Sequence, residues 1–276
     1  MMKTVLVTGT SSGIGKATAE LLSEKGYFVY ANVLEEDHLA IWESAENIQG
    51  IVFDVRKKEE IARARDVVQS ERGELYGIVN NAGISNWGPI LDISDQIWKD
   101  NLETNLMGAV TVTRTFFPLL SKDSARIVNV SSVTGKLVLP FMGPYHVAKA
   151  ALEAFSDTLR REFQLAKMRH IKVSVIEPAS VDTAIWTHAE QKVVFPESSP
   201  FYSTAYKMGK GLIQQEKGVA IAPRVVARTI FKALSARRPR IRYMVGPQST
   251  LIRILCSLPD WVVDRVAYAA GKKLLK

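Results

Sequence analysis

Thr4-Val5-Leu6-Val7-Thr8-Gly9-Thr10-Ser11-Ser12-Gly13-Ile14-Gly15-Lys16 is the stretch that decides how this chain folds. An apolar, β-branched run over Thr4–Thr8 enters a glycine-rich turn without a break, and the turn enters a helical pattern over Gly15–Lys25. Gly9 permits the sharp exit from the strand, Gly13 lets backbone approach a pyrophosphate closely, and Gly15 allows tight helix–strand packing. The helix N-terminus adds free N–H groups and the positive end of its dipole. Ser11, Ser12 and Ile14 fill the rest of the turn. A glycine cluster alone would indicate only a turn. Strand, glycines and helix in that order point to dinucleotide binding.

Outward from this turn, short β-branched runs alternate with longer helical patterns, which is the rhythm of a parallel sheet. Strands are expected at Thr4–Thr8, Phe28–Val33, Gly50–Phe53, Gly77–Val79, Arg126–Val130 and Lys172–Glu177, with a seventh at Arg242–Val245. Helices are expected at Gly15–Lys25, Gln96–Leu120 and Val147–Ala166. The expectation is one α/β domain over residues 1–276, a doubly wound parallel sheet of about seven strands with helices on both faces. Such sheets bind ligands beyond the carboxyl ends of their strands. Asp54-Val55 stands at one such end, where a carboxylate can accept a hydrogen bond from an adenine amine. Asn80-Asn81-Ala82-Gly83 stands at another, with small residues where backbone must pass a ribose. From Thr187 to Gly218 periodicity is lost, and this region is read as a substrate-binding loop in which Trp186, Phe195, Phe201 and Tyr202 either line a pocket or pack the loop itself.

With 47% hydrophobic and 23% charged residues among 276, the chain has the composition of a soluble globular protein. No apolar run is long enough to span a bilayer, no leader pattern precedes the first strand, and a single cysteine, Cys256, excludes an internal disulfide. A cytoplasmic location is expected. The net charge of +8 is unevenly placed, since residues 221–276 hold 12 Lys or Arg against 2 Asp or Glu. Within residues 248–276, Leu251, Ile252, Ile254, Leu255 and Leu258 form an apolar stripe that continues past Pro259 through Trp261, Val262 and Val266 to Lys272, Lys273 and Lys276. A basic amphipathic segment of this kind suits a membrane interface, a cap over a pocket or a subunit contact. No nucleic-acid motif is present, and His38, His146, His170 and His188 lack metal-ligand spacing, so neither nucleic acid nor metal is expected.

Tyr145 and Lys149 share one face of a helical pattern, a turn apart. Free tyrosine, with a pKa of about 10, is a poor base at neutral pH, and a nearby ammonium lowers that value by stabilising the phenolate. Ser132 follows the strand Arg126–Val130 and can donate to a carbonyl oxygen beside the tyrosine. Glu153 and Asp157, further along the same helix, are read as solvated, and His146 as facing elsewhere.

These residues in this order resemble the short-chain dehydrogenase/reductase family, from Lys3 to about Thr183. The resemblance rests on the Thr8–Gly15 turn, Asn80-Asn81-Ala82-Gly83, Asn105, Ser132 and Tyr145-His146-Val147-Ala148-Lys149. It implies a Rossmann-type domain and an NAD(P)-dependent oxidoreductase acting on an alcohol or ketone. It further implies that Tyr145 exchanges the proton with the substrate oxygen, and that Lys149 bonds the nicotinamide ribose. Ser132 then polarises the carbonyl, Asn105 holds a water that links Lys149 to solvent, and Ser131 is structural. Pro178, Val181 and Thr183 correspond to a segment that meets the nicotinamide, with Ala179 in place of the usual glycine. Ile127–Gly135 and Phe155–Glu162 are similar to the branch of retinol, hydroxysteroid and 3-hydroxybutyrate dehydrogenases. A lipophilic alcohol such as a steroid or retinoid is the expected substrate, with a small hydroxy acid as the alternative. A homodimer or homotetramer is the expected assembly.

For the cofactor, Asn32 stands where many NAD-specific relatives carry an acid, and Leu34 where many NADP-specific ones carry arginine. Leu34 offers a 2′-phosphate no partner, and Glu35, Glu36 and Asp37 would repel one, so NAD is favoured over NADP. A non-catalytic redox sensor would keep the turn but usually lose one of Asn105, Ser132, Tyr145 and Lys149, and all four are present. A nucleotide-sugar epimerase usually has a longer chain.

Overall fold

The computed structural model describes residues 2–183, 195–247 and 249–275. Its strands are β1 (Thr4–Val7), β2 (Phe28–Val33), β3 (Ile48–Val52), β4 (Gly77–Asn80), β5 (Ala125–Val130), β6 (Ile171–Pro178) and β7 (Arg242–Val245). They form one sheet in the order β3-β2-β1-β4-β5-β6-β7, with every pairing parallel. Expected and observed ends differ by one or two residues, and the seventh strand lies where the sequence places it. The period of two sorts each strand between two cores. Val5 and Val7 join Val29, Ala31, Val79 and Val128 on one face. Leu6 joins Tyr30, Ile78 and Ile127 on the other. Burial on both faces is why these strands read as apolar runs.

The helices are α1 (Gly13–Glu24), α2 (Lys58–Glu71), α3 (Asp95–Leu102), α4 (Gly108–Phe116), α5 (Gly143–Leu165), α6 (Tyr202–Val219), α7 (Pro223–Ser235), α8 (Ser249–Leu255) and α9 (Asp260–Leu274). Residues of α1 and α7 pack on the first core, and residues of α2, α4 and α5 on the second.

Three expectations need correction. The helix expected over Gln96–Leu120 is interrupted by a π turn at Glu103–Met107 and ends in a 3-10 turn at Phe117–Leu119, where Pro118 cannot continue the α ladder. The helix expected from Val147 begins at Gly143 with Pro144 in its first turn, a position where a missing N–H costs nothing. The region read as irregular from Thr187 to Gly218 contains α6, whose Ala205, Met208 and Leu212 are buried at helical spacing. Interspersed Gly, Ser and Lys residues hide that stripe. Trp186, with the rest of 184–194, lies outside the described residues.

At the basic end, Pro259 is the N-cap of α9, and the apolar stripe stays largely outside. Ile252 is buried in α8 and no residue of α9 is fully buried, although Leu274 and Leu275 pack at the edge of a third cluster. Among the described residues, no helix is long and apolar enough to cross a membrane.

Candidate active site

Strand order reverses between β1 and β4, and the crevice at such a switch point is where open parallel sheets bind ligands. The β1–α1 turn forms one side of it. Gly9 and Gly13 have φ of 70° and 56°, in the region that favours glycine. Thr8 Oγ1 accepts from the amides of Asn81 (3.0 Å) and Ala82 (3.1 Å), while Asn81 Nδ2 donates to the carbonyls of Thr8 (2.9 Å) and Gly9 (3.0 Å). The two segments expected to flank a dinucleotide are thus laced together. Ser12 is the N-cap of α1 in extended conformation, its side chain makes no capping bond, and no acid stands in the first turn. That leaves the helix end suited to an anion, and the cradle fits a pyrophosphate.

Asn32 supports the turn. Its Oδ1 accepts from the Gly9 amide at 3.1 Å, and its Nδ2 donates to the carbonyls of Val33 and Phe53. Both side-chain polar atoms thus help to shape the cradle. Leu34 is exposed at the end of β2, followed by exposed Glu35, Glu36 and Asp37. Asp54 is buried and paired with Arg56 at 2.6 Å; burial pushes its carboxyl up, but the Arg56 contacts prevail and hold it below the usual range. Val55 packs on Gly108, where a Cβ would come within 2.8 Å of Val55 Cγ2.

Across the crevice, the first turns of α5 carry Tyr145 and Lys149. Lys149 is buried, donates from Nζ to the Val130 carbonyl at 2.8 Å, and lies 5.6 Å from the centre of the Tyr145 ring. Burial lowers Lys149 to about 8, with the charge of Glu153 opposing. Burial raises Tyr145 to about 12, and its bond with the Ser132 hydroxyl pulls the other way. The expected lowering of Tyr145 by Lys149 is therefore not present in the chain by itself: the contact that favours its phenolate is Ser132. Ser132 Oγ accepts from the Thr134 amide at 3.1 Å and donates to the Pro178 carbonyl at 3.4 Å. Asn105 sits in the π turn, its Oδ1 accepting from the Ile84 amide (3.1 Å) and its Nδ2 donating to the Ile84 carbonyl (2.9 Å). A Cβ at Gly83 would lie 2.6 Å from Asn105 Oδ1 and 3.6 Å from Lys149 Nζ, so Asn81-Ala82-Gly83 passes directly between these groups.

On the remaining side, β6 ends at Pro178, Val181 pairs with Ile221, and Thr183 reaches the turn, its Cγ2 being 3.0 Å from where Gly13 would carry a Cβ. Ala179 is accommodated by Gly246, whose φ is 133° and whose own Cβ would stand 2.7 Å from the Ala179 methyl. Beside Tyr145 lies an apolar cluster of Trp87, Met142, Phe195, Ala205, Met208 and Leu212, against which Tyr145, Tyr202, Leu274 and Leu275 pack. Of the aromatic residues expected at a pocket, Phe195 and Tyr202 join this cluster and Phe201 stays exposed. The sequence reading missed Trp87, Met142 and the two C-terminal leucines, because only the fold brings them together.

Glu153 is a further correction. It is buried, not solvated, with Oε2 accepting from Arg242 Nε at 3.0 Å, and Asp157 binds the same guanidinium at 3.1 Å. His146 is buried with Nδ1 accepting from the Leu139 amide, and burial lowers it to about 4.

A parallel sheet with a phosphate cradle at its switch point and a Tyr–Lys pair across the crevice defines the class of dinucleotide-dependent oxidoreductases. Within it, the chain belongs to the short chain dehydrogenase family, whose model matches residues 3–193. It is 30% identical to an NADPH-dependent 3-dehydrocapnine reductase of Ornithobacterium rhinotracheale, over 99% of both chains. It is 34% identical to a human retinol dehydrogenase, over 96% of this chain and 88% of that one. Identity to a mitochondrial D-beta-hydroxybutyrate dehydrogenase of Rattus norvegicus is 36%, over 69% of this chain but only 58% of the rat protein. A solved short chain dehydrogenase/reductase of Burkholderia phymatum, in complex with NAD, is 26% identical and matches with a TM-score of 0.79 over 91% of this chain and 92% of that one. The chain is an NAD(P)-dependent oxidoreductase of the branch that holds retinol and hydroxybutyrate dehydrogenases.

Proposed function

We propose that the chain interconverts a lipophilic secondary or primary alcohol and its carbonyl, with Tyr145 as general acid and base. The observation that carries this reading is the position of Tyr145, with Ser132 on one side favouring its phenolate and the Trp87–Met208 cluster packed on the other. NAD(P) bound in the crevice supplies the hydride acceptor or donor. On oxidation, Tyr145 Oη takes the proton from the substrate hydroxyl; on reduction it returns one to the carbonyl oxygen. Ser132 holds that oxygen beside Oη. Lys149 bonds the cofactor ribose and brings a positive charge toward a phenol otherwise held near 12. Asn105 keeps the segment ending at Ile84 in place beside Lys149. The apolar cluster excludes water from the reacting carbon.

NAD is the favoured cofactor, because exposed Leu34 is followed by three exposed acids that repel a 2′-phosphate. A small hydroxy acid is the second reading, favoured by the likeness to the rat hydroxybutyrate dehydrogenase; the apolar cluster beside Tyr145 favours the lipophilic alcohol. The exposed stripe of α8 and α9 is proposed to touch an anionic membrane surface, from which such a substrate would come. NAD(P)H formation by the purified protein over steroids, retinol, 3-hydroxybutyrate and secondary alcohols tests the reading. Higher kcat/KM for the bulky apolar alcohols is expected, and turnover confined to 3-hydroxybutyrate would contradict it. Leu34→Arg should move binding toward NADP; a parent that binds NADP about tenfold better than NAD would sink the cofactor assignment.

A further inference from the structure

Four-residue steps along α5 place Tyr145, Lys149, Glu153 and Asp157 on one face of the helix. Three of the four are accounted for: the tyrosine and lysine face the crevice, and Asp157 is half-buried among Arg160, Arg161 and Arg242. Glu153 is different. It is only 7% exposed, and its Oε1 has no hydrogen-bond partner among the described residues, an expensive state for a carboxylate. We propose that Glu153 is a positioning residue for Lys149, its carboxylate being the buried counter-charge that keeps the ammonium protonated beneath the crevice.

The geometry behind this is a chain of groups one turn deep. Lys149 Nζ is held on the Val130 carbonyl. The next residue of that segment, Ser131, donates from its hydroxyl to the Lys149 carbonyl at 3.4 Å. From β7, Arg242 Nε meets Glu153 Oε2 at 3.0 Å and Glu177 Oε1 at 3.3 Å, and Lys136 Nζ closes on Glu177 at 2.7 Å.

Two opposing forces act on each partner. Burial pulls Lys149 down and Glu153 pulls it up. Burial and the charge of Glu177 push Glu153 above the usual carboxylate range, and Ser131 and Arg242 oppose that rise. Removing the Glu153 charge therefore leaves burial unopposed at Lys149. The competing explanation is that Glu153 merely stitches α5 to the edge strand β7 through Arg242. That role does not act on the lysine.

The inference rests on Lys149 being a working group of the proposed reaction, so its test includes a measurement on the protein without cofactor. The ¹³Cε resonance of Lys149, assigned by its loss in Lys149→Met, is titrated in the parent, Glu153→Gln and Arg242→Lys. Glu153→Gln should move the Lys149 midpoint to lower pH by about one unit, the usual effect of one close charge. Because the protonated form is the useful one, the alkaline limb of the kcat profile should move down with it. Arg242→Lys loosens the same stitch but leaves a cation beside Glu153, so it should lower thermal stability without lowering the midpoint. A parental Lys149 midpoint in folded Glu153→Gln overturns the proposal, as does an equal fall in both variants. Should Glu153→Gln not fold, Glu177→Gln decides: it removes a charge that opposes ionisation of Glu153, and a fall of the Lys149 midpoint in that variant overturns the proposal. An absence of alcohol turnover would count against the proposed function and leave the titration readable.

Discussion

At Gly15 a Cβ would stand 2.0 Å from the carbonyl oxygen of Gly9 and 2.6 Å from Asn81 Nδ2. Neither atom can retreat, because Asn81 Nδ2 is already bonded to that carbonyl and to Thr8 O. Gly15→Ala should therefore displace the turn itself, costing roughly 1–3 kcal/mol of stability and weakening NAD(P) binding by more than about tenfold. Calorimetric titration with both cofactors checks this, and a parental Kd would show that the cradle is not where the dinucleotide sits. Residues whose partners are close in sequence or implied by a motif were legible here: Gly9, Gly13, Tyr145 and Lys149 stand where the spacing puts them. Residues whose partners are remote were not. Glu153 reads as a solvated helix acid because Arg242 is 89 positions away, and Ala179 reads as an anomaly because Gly246 makes room for it. The tie between Asn32 and the Gly9 amide, 23 positions apart, likewise shows only in the fold.

Among elements, strands were easier to read than helices, since burial on both faces leaves a continuous apolar run with short margins. The π turn at Glu103–Met107 has no sequence mark of its own: one extra residue per turn leaves composition unchanged while turning Asn105 inward. At the other end of the chain, α8 and α9 were legible as an apolar stripe with cations, and the fold leaves most of that stripe uncovered. Trp261 is 62% exposed with Arg265 over its ring, and Tyr268 is 71% exposed with Lys272 over its ring. An aromatic–cation pattern on an open helix face matches the composition of interfacial helices. Co-sedimentation with anionic and neutral vesicles, for the intact protein and a form ending at Pro247, tests the membrane contact. The intact protein should pellet with anionic vesicles in a salt-sensitive way, and the shortened form should stay in the supernatant. Equal recovery of both in the supernatant would leave the stripe as an ordinary surface.

Across the whole molecule, the sheet, its switch point and the crevice follow from the alternation of strands and helices over the first 180 residues, which is why the cradle and the Tyr–Lys pair face one another. The substrate side does not follow in the same way. Its apolar cluster is assembled from Trp87, Met142, Phe195, α6 and the end of α9, segments with no shared motif. In the proposed function, cofactor chemistry is thus set by local pattern and substrate choice by long-range packing. Both meet at Tyr145, which makes that hydroxyl the point on which the account depends. The direct test is the turnover of Tyr145→Phe on whichever alcohol the parent oxidises, with cofactor affinity measured alongside. Removal of the proton-exchanging oxygen should lower kcat by at least about 100-fold and leave the NAD(P) Kd within about twofold of the parent. A variant that turns over at a near-parental kcat would contradict the assignment.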